Sequence, residues 1–331
     1  MADTQTRKLV DAITGAWRTR AIYEGVRSGL IDNLGDTPVS AQQLADRLDL
    51  DAPTVMRILR ALGALGLSAQ ASTDSFTITD TGARLKTGAS GSLRGMAMLW
   101  GDRIWKSLET IGDTLRTGEP GWGNGNFDAL HADPVESDIF NRAMAEQSGP
   151  IARAFAKTRD LAGFTSILDV GGGYGAVLIE ILRANPHLEG AVYDLELIGD
   201  GASRYLQESG VGDRGGFRGG DFFSRIPGGA DCIVLKYILH DWADADCARI
   251  LANCRAALET GATLMVLERI VPERIGEGDE SVARTDLVMM PISGKERTLD
   301  ELGAMLGEAG FSIDAVTPLV DSCWAIEGRA V

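Results

Sequence analysis

The chain has 331 residues, 44% hydrophobic and 24% charged, the balance of a folded protein with room for two domains and not of a disordered one. Thirty-two basic side chains against 47 acidic ones leave a net charge of −15, which argues against nucleic acid or an anionic membrane as partner and favours a neutral small molecule. Four cysteines without a CxxC pair and three dispersed histidines fit no structural metal spacing, so reduced thiols and no metal are expected.

The first residues, "MADTQTRKLV", lack the apolar core of a leader, and no apolar run approaches the length of a membrane span, so the cytoplasm is the expected compartment. Residues 7–31 carry Leu9, Ile13, Trp17 and Ala21 at intervals of four with charges between, which predicts one long amphipathic helix in need of a partner surface. Residues 37–67 parse as two short helices, the first opened by a Ser40/Gln43 capping box and the second by Asp51 and Pro53. The alternating, turn-rich stretch 68–85 reads as a two-stranded wing. This winged-helix pattern makes Arg57 and Arg60 candidates for DNA contacts. Basic and acidic side chains are, however, equal in number over residues 1–90, so a dimerisation domain is the preferred reading.

Residues 91–163 read as helical, with helices over 97–118 and 137–158 and a Gly/Pro-rich loop over 119–134. Phe140, Met144 and Gln147 share one helical face, as core residues or as a pocket wall. From 165 onward strands alternate with helices: "SILDV", "VLIEILRANP", "GAVYDL", "DCIVLKYIL", "DCARILANCRAAL" and "ATLMVLERI". That alternation predicts an α/β, Rossmann-like domain with a parallel-rich sheet over 164–331.

Within it, "ILDVGGGYGAV" follows a strand and opens a helix. Gly171, Gly173 and Gly175 permit close approach of a ligand to the backbone, and Asp194 ends the next strand where a carboxylate can hold ribose hydroxyls. With Ala176 the spacing also satisfies a dinucleotide fingerprint, which would make the chain an NAD-dependent dehydrogenase, and a ligand-free tight turn is the bland alternative. Asp169, just before the glycines, favours S-adenosylmethionine, whose charged amino-acid end needs polar contacts. In "LKYILHDWAD" a lysine, Lys236, lies inside an apolar strand and needs a partner. His240, at the strand's end, can be a packed core residue, a metal ligand or a proton carrier.

The winged-helix start, "DVGGGYG", "GGDFF", "LKYILHDWAD" and "GKERT", in this order, resemble the caffeic-acid-type class I O-methyltransferases and their bacterial natural-product relatives, over nearly the whole chain. The resemblance implies that Gly171 holds the methionine part of S-adenosylmethionine, Asp194 the ribose, Asp221 and Phe222 the adenine, and that Lys236 also contacts the cofactor. One departure is "DLE" at 194–196, where the family often has Asp-Leu-Pro. The resemblance makes His240 the general base, with Glu268 and Glu296 hydrogen-bonded to one imidazole nitrogen. A phenol with a pKa of ~10 is protonated at neutral pH, so a nearby base assists as the methyl transfers. The acceptor wall would include Phe140, Met144, Gln147 and, in "DLVMMPISGKERT", the adaptable Met289 and Met290. Asp221 as a turn cap, Phe222 as core, and Glu268 and Glu296 as salt-bridge partners are the structural alternatives. Asp241, Asp244 and Asp246 favour the N-terminus of the next helix. His131 and His187 read as solvated, and Cys247 and Cys254 as core.

The expected protein is thus a homodimer that methylates a hydroxyl of an aromatic small molecule in specialised metabolism. Its expected divisions are a winged-helix-like dimerisation domain (1–90), a helical linker and acceptor-pocket region (91–163) and a cofactor-binding catalytic domain (164–331). Relatives with the same pocket that hydroxylate, decarboxylate or cyclise, and a winged-helix DNA-binding regulator, are the alternatives.

Overall fold

Ser40 Oγ accepts a hydrogen bond from Gln43 N, and Gln43 Oε1 accepts one from Ser40 N, the reciprocal cap that starts the helix Ala41–Leu48. Asp51 caps the helix Ala52–Ala64 through Thr54 N. These local signals lie in the first of two compact units, Met1–Lys106 and Ser107–Val331, in a computed structural model that describes residues 4–123 and 127–331. In the first unit, β1 (Val39–Ser40), β2 (Ser68–Gln70) and β3 (Ser75–Ile78) form an antiparallel sheet in the order β1-β3-β2. Phe76 of β3 packs with Leu30, Leu44 and Leu59 in the core beneath the two helices. The long first helix expected over 7–31 is divided into Thr4–Thr14, Ala16–Arg27 and Leu30–Asn33. Glycine destabilises a helix interior by about 1 kcal/mol, and the breaks fall at Gly15 and at Gly29, which takes a left-handed φ of 81°. Helix Thr4–Thr14 buries none of its residues, and Leu9, Val10, Ile13 and, just beyond it, Trp17 are exposed.

The second unit holds a seven-stranded sheet of β4 (Ser166–Val170), β5 (Glu189–Asp194), β6 (Gly215–Gly219), β7 (Cys232–Lys236), β8 (Thr263–Arg269), β9 (Phe311–Pro318) and β10 (Cys323–Ala330). Its order is β6-β5-β4-β7-β8-β10-β9. The first five strands are mutually parallel, and β10 runs antiparallel to both β8 and β9. Every residue of β7 and β8 is buried, as expected where both faces are covered. One face packs against helix Ala176–Ala184 and part of Pro134–Thr158, the other against Asp244–Ala257 and Leu299–Glu308. The strand order reverses between β4 and β7, so a crevice opens at their carboxyl ends, where ligands sit in open α/β sheets. The boundary after Lys106 falls within the segment 91–163, and part of the loop expected over 119–134 is the helix Phe127–Ala132, while 124–126 lie outside the described residues. Among the described residues no helix is long and apolar enough to cross a membrane.

Candidate active site

A cavity of about 420 Å³ lies at the carboxyl ends of β4, β5 and β7. Asp169, Gly171, Gly173, Asp194, Asp221, Phe222 and Lys236 all line it, as do Phe140 and Met144. At one end Gly171 and Gly173 hold left-handed φ angles of 68° and 57°, and Gly172 lies so close to Asp169 that a Cβ there would meet its carboxylate at 2.6 Å. Asp169 is buried, with Oδ2 accepting from Leu178 N at 3.4 Å and Oδ1 unpartnered. Burial pushes its pKa up to about 7. Asp194 anchors the loop by accepting from Gly173 N and Leu195 N. An orphan carboxylate oxygen over a cradle that a side chain would fill suits a ligand with a cationic amino group, and the amino-acid end of S-adenosylmethionine is one.

Asp221 also caps a turn, accepting from Phe223 N and the Ser224 hydroxyl, so the structural role and the cavity position coexist. Lys236 finds its partner in Ser148, donating to Oγ at 2.8 Å, and lies 3.8 Å from the centre of the Tyr237 ring. Burial lowers its pKa to about 8.

At the other end the walls are aromatic: Phe127, Phe140, Phe222, Phe223 and Trp242 lie within ring-contact distance of one another in a chain. His131, expected in solvent, is buried among them, with Nδ1 3.0 Å from Ser137 Oγ and its ring against Phe127 and Phe140. Its helix packs on Pro134–Thr158, and the Gly/Pro-rich composition upstream hid this. Gln147 does not line the cavity. The stripe that does, Phe140, Asn141, Met144, Ala145 and Ser148, is centred away from it. Met289 and Met290 lie outside the cavity too, at the end of helix Glu280–Met289, and Met290 lines a separate apolar cleft with Ile275 and Leu287.

His240 sits in the 3-10 turn Leu239–Asp241 that follows β7. Nδ1 is 3.0 Å from Glu296 Oε1, which can only accept, so Nδ1 carries hydrogen and Nε2 is the basic nitrogen of the neutral ring. Nε2 is 3.4 Å from Asp241 Oδ1, and Asp241 lines the cavity, so the basic edge lies behind that carboxylate. Glu268, at the end of β8, does something different from what was expected. Its Oε1 accepts from Ile238 N and Leu239 N and so caps the turn, while Oε2 stands 4.0 Å from Nδ1. Burial disfavours the imidazolium, but the carboxylates of Asp241, Glu296 and Glu268 together outweigh it and hold the His240 pKa up at about 9. Burial also raises Asp241, to about 6, against the pull of His240. Tyr237 stacks on the imidazole at 5.1 Å and takes a left-handed φ of 54°. The reading of Asp241 as helix-favouring missed its place beside Nε2, although the "HD" pair was its only signal. The cysteines are all buried and free.

Residues 108–312 match the family described as the O-methyltransferase domain. The phenazine O-methyltransferase PhzM of Lysobacter antibioticus is 32% identical over 98% of this chain and 96% of its own length. The crystal structure of LaPhzM superposes with a TM-score of 0.95 at 30% identity, covering 99% of this chain and 100% of that one. The neocarzinostatin biosynthetic O-methyltransferase NcsB1, solved with S-adenosyl-L-homocysteine and 1,4-dihydroxy-2-naphthoic acid, superposes at 0.80 with 27% identity over the whole of both chains.

Proposed function

The chain belongs to the O-methyltransferase domain family, and we propose from that premise that His240 is the general base for methylation of a hydroxyl on a flat aromatic acceptor seated among Phe127, Phe140 and Trp242. It is an S-adenosylmethionine-dependent O-methyltransferase. The observation that carries the base assignment is the ring's asymmetry: Nδ1 is fixed by a buried carboxylate and Nε2 stands next to the cavity wall.

When bound, S-adenosylmethionine supplies a methyl group on a sulfonium whose departure as a neutral thioether needs no acid. Asp169 Oδ1 and the glycine loop would hold its amino-acid end, Asp194 its ribose, and Asp221 and Phe222 its adenine, with Lys236 on the cavity wall beside Ser148. The protein's own work is then on the acceptor. The aromatic walls exclude water and hold the ring flat, and Nε2 takes the hydroxyl proton as the oxygen becomes nucleophilic. Glu296 steadies the imidazolium that results, and Glu268 fixes the turn that carries it. The acceptor's class is supported by these walls and by the naphthoic acid bound in NcsB1.

We also propose a homodimer formed through residues 1–90, because helix Thr4–Thr14 presents Leu9, Val10 and Ile13 exposed among the described residues. The test of the activity is incubation with methyl-labelled S-adenosylmethionine and a panel of phenols, hydroquinones and polyketide aromatics. Label on an acceptor oxygen is expected, and the absence of label throughout the panel counts against the proposal.

A further inference from the structure

We infer that Arg297, together with Asp244, is a positioning residue that fixes the His240 turn to the segment carrying Glu296, so that the base and its carboxylate are aligned by one buried guanidinium. The inference rests on the assignment of His240 as base.

Arg297 is fully enclosed, with only 1% of its side chain exposed. Buried arginines need partners for most of their donors, and its partners are chosen from one place. Nη1 donates to Leu239 O at 2.7 Å and Nη2 to Trp242 O at 2.8 Å, the carbonyls on either side of the pair His240 and Asp241. Nε and Nη2 both donate to Asp244 Oδ1, at 3.0 and 2.7 Å, a forked bond to the first residue of helix Asp244–Ala257. The carbonyl between, His240 O, accepts from Lys295 N at 2.9 Å. The two backbones run so close that a Cβ on Gly294 would stand 2.2 Å from His240 O. Cys247, one turn into the same helix, adds weaker S–H contacts to Leu239 O and Trp242 O. Glu296 is thus bracketed by two residues that grip the turn's carbonyls, and its own carboxylate reaches Nδ1.

A backbone held at Leu239 O, His240 O and Trp242 O cannot drift relative to Glu296. Without the guanidinium, Leu239 O and Trp242 O lose their charged donor and the His240–Glu296 distance is free to lengthen. A misplacement of ~1 Å can cost ~10²-fold in rate. A planar fork is required: the acceptors are spread over Nε, Nη1 and Nη2, and lysine carries its donors on a single nitrogen. The groups facing the imidazole are Asp241, Glu268, Glu296 and the Tyr237 ring, and Lys236 and Arg269 also lie against that ring.

The experiment compares Arg297→Lys with the wild-type chain, alone and in a Glu296→Gln background. Its readouts are kcat, KM for the acceptor, affinity for S-adenosylmethionine by calorimetry, and the titration of His240 followed by NMR with ring-labelled histidine. Only three histidines share that spectrum. Arg297→Lys should lower kcat, measured on the plateau above the His240 titration where the base is neutral in both proteins, by about 10- to 100-fold, leave cofactor affinity within about twofold, and move the His240 titration to lower pH, because Glu296 withdraws from Nδ1. In the Glu296→Gln background the same change should cost no more than about threefold, since the alignment it maintains is already lost. Should Arg297→Lys fail to fold, Asp244→Asn, which removes the forked carboxylate and keeps the carbonyl bonds, should shift the His240 titration in the same direction by less. Wild-type turnover in Arg297→Lys, an equal loss in both backgrounds, or an unmoved His240 titration would overturn the inference. A titration that shifts in a protein that methylates no acceptor would leave the clamp standing and remove the base assignment instead.

Discussion

His240, Glu296 and Glu268 divide one task unevenly. Glu296 holds the ring, whereas Glu268 spends Oε1 on two backbone amides of the turn. Glu268→Ala would strip both amides of their acceptor inside the core and should destabilise the protein by about 2 to 4 kcal/mol, measured by chemical denaturation. Glu268→Gln keeps an accepting oxygen and should lose less than half of that. If the two variants are equally stable, the capping role is wrong. The pH dependence has a definite sign. On the proposed assignment of His240 as base the neutral ring is the reactive form, and the three carboxylates hold its pKa above the ordinary value, at about 9. The ring is therefore mostly protonated at pH 7, and turnover of an un-ionised acceptor should climb with pH toward 9 before levelling. A profile flat between pH 7 and 9 contradicts it. Of these residues the sequence placed His240 at the end of a buried strand, with packing, metal ligation and proton transfer all open, and the base role came from the family resemblance. It did not show Asp241 at Nε2 or His131 in the wall, because both depend on how distant segments close over the sheet.

At the scale of elements, the glycine loop after β4 was legible because a strand, a tight turn and a helix follow one another within a dozen residues. The loop also makes a prediction. Gly172→Ala puts a methyl 2.6 Å from the Asp169 carboxylate, so that the carboxylate must shift, and should weaken S-adenosylmethionine binding by on the order of tenfold in calorimetry, with thermal stability less affected. Unchanged affinity would remove Asp169 from the cofactor site. Strands β6, β9 and β10 were not read. "GGFRG" is three-fifths glycine and has almost no strand propensity of its own, so its pairing is imposed by β5. β10 is inserted between β8 and β9, which reverses the parallel trend that the preceding segments set. The break at Gly15 was missed for a related reason: apolar spacing continues through it, and only the backbone yields.

For the whole molecule, charge and exposure decide the partners. Residues 1–90 carry no net positive charge, so duplex DNA offers them little counterion release, while the apolar stripe of the first helix is exposed among the described residues. Light scattering should give twice the 35.2 kDa chain mass. A monomer at micromolar concentration, or tight salt-sensitive DNA binding, would contradict the homodimer. The measurement closest to the centre of the mechanism is turnover by His240→Ala beside the wild-type enzyme, on the same phenol kept un-ionised at the assay pH, with S-adenosylmethionine affinity measured on both. The substitution should cost about 10²- to 10⁴-fold in kcat, abolish the rise toward pH 9 and leave cofactor affinity nearly unchanged. An alanine variant that methylates the phenol at the wild-type rate would show that His240 is packing and that the proton leaves by another route.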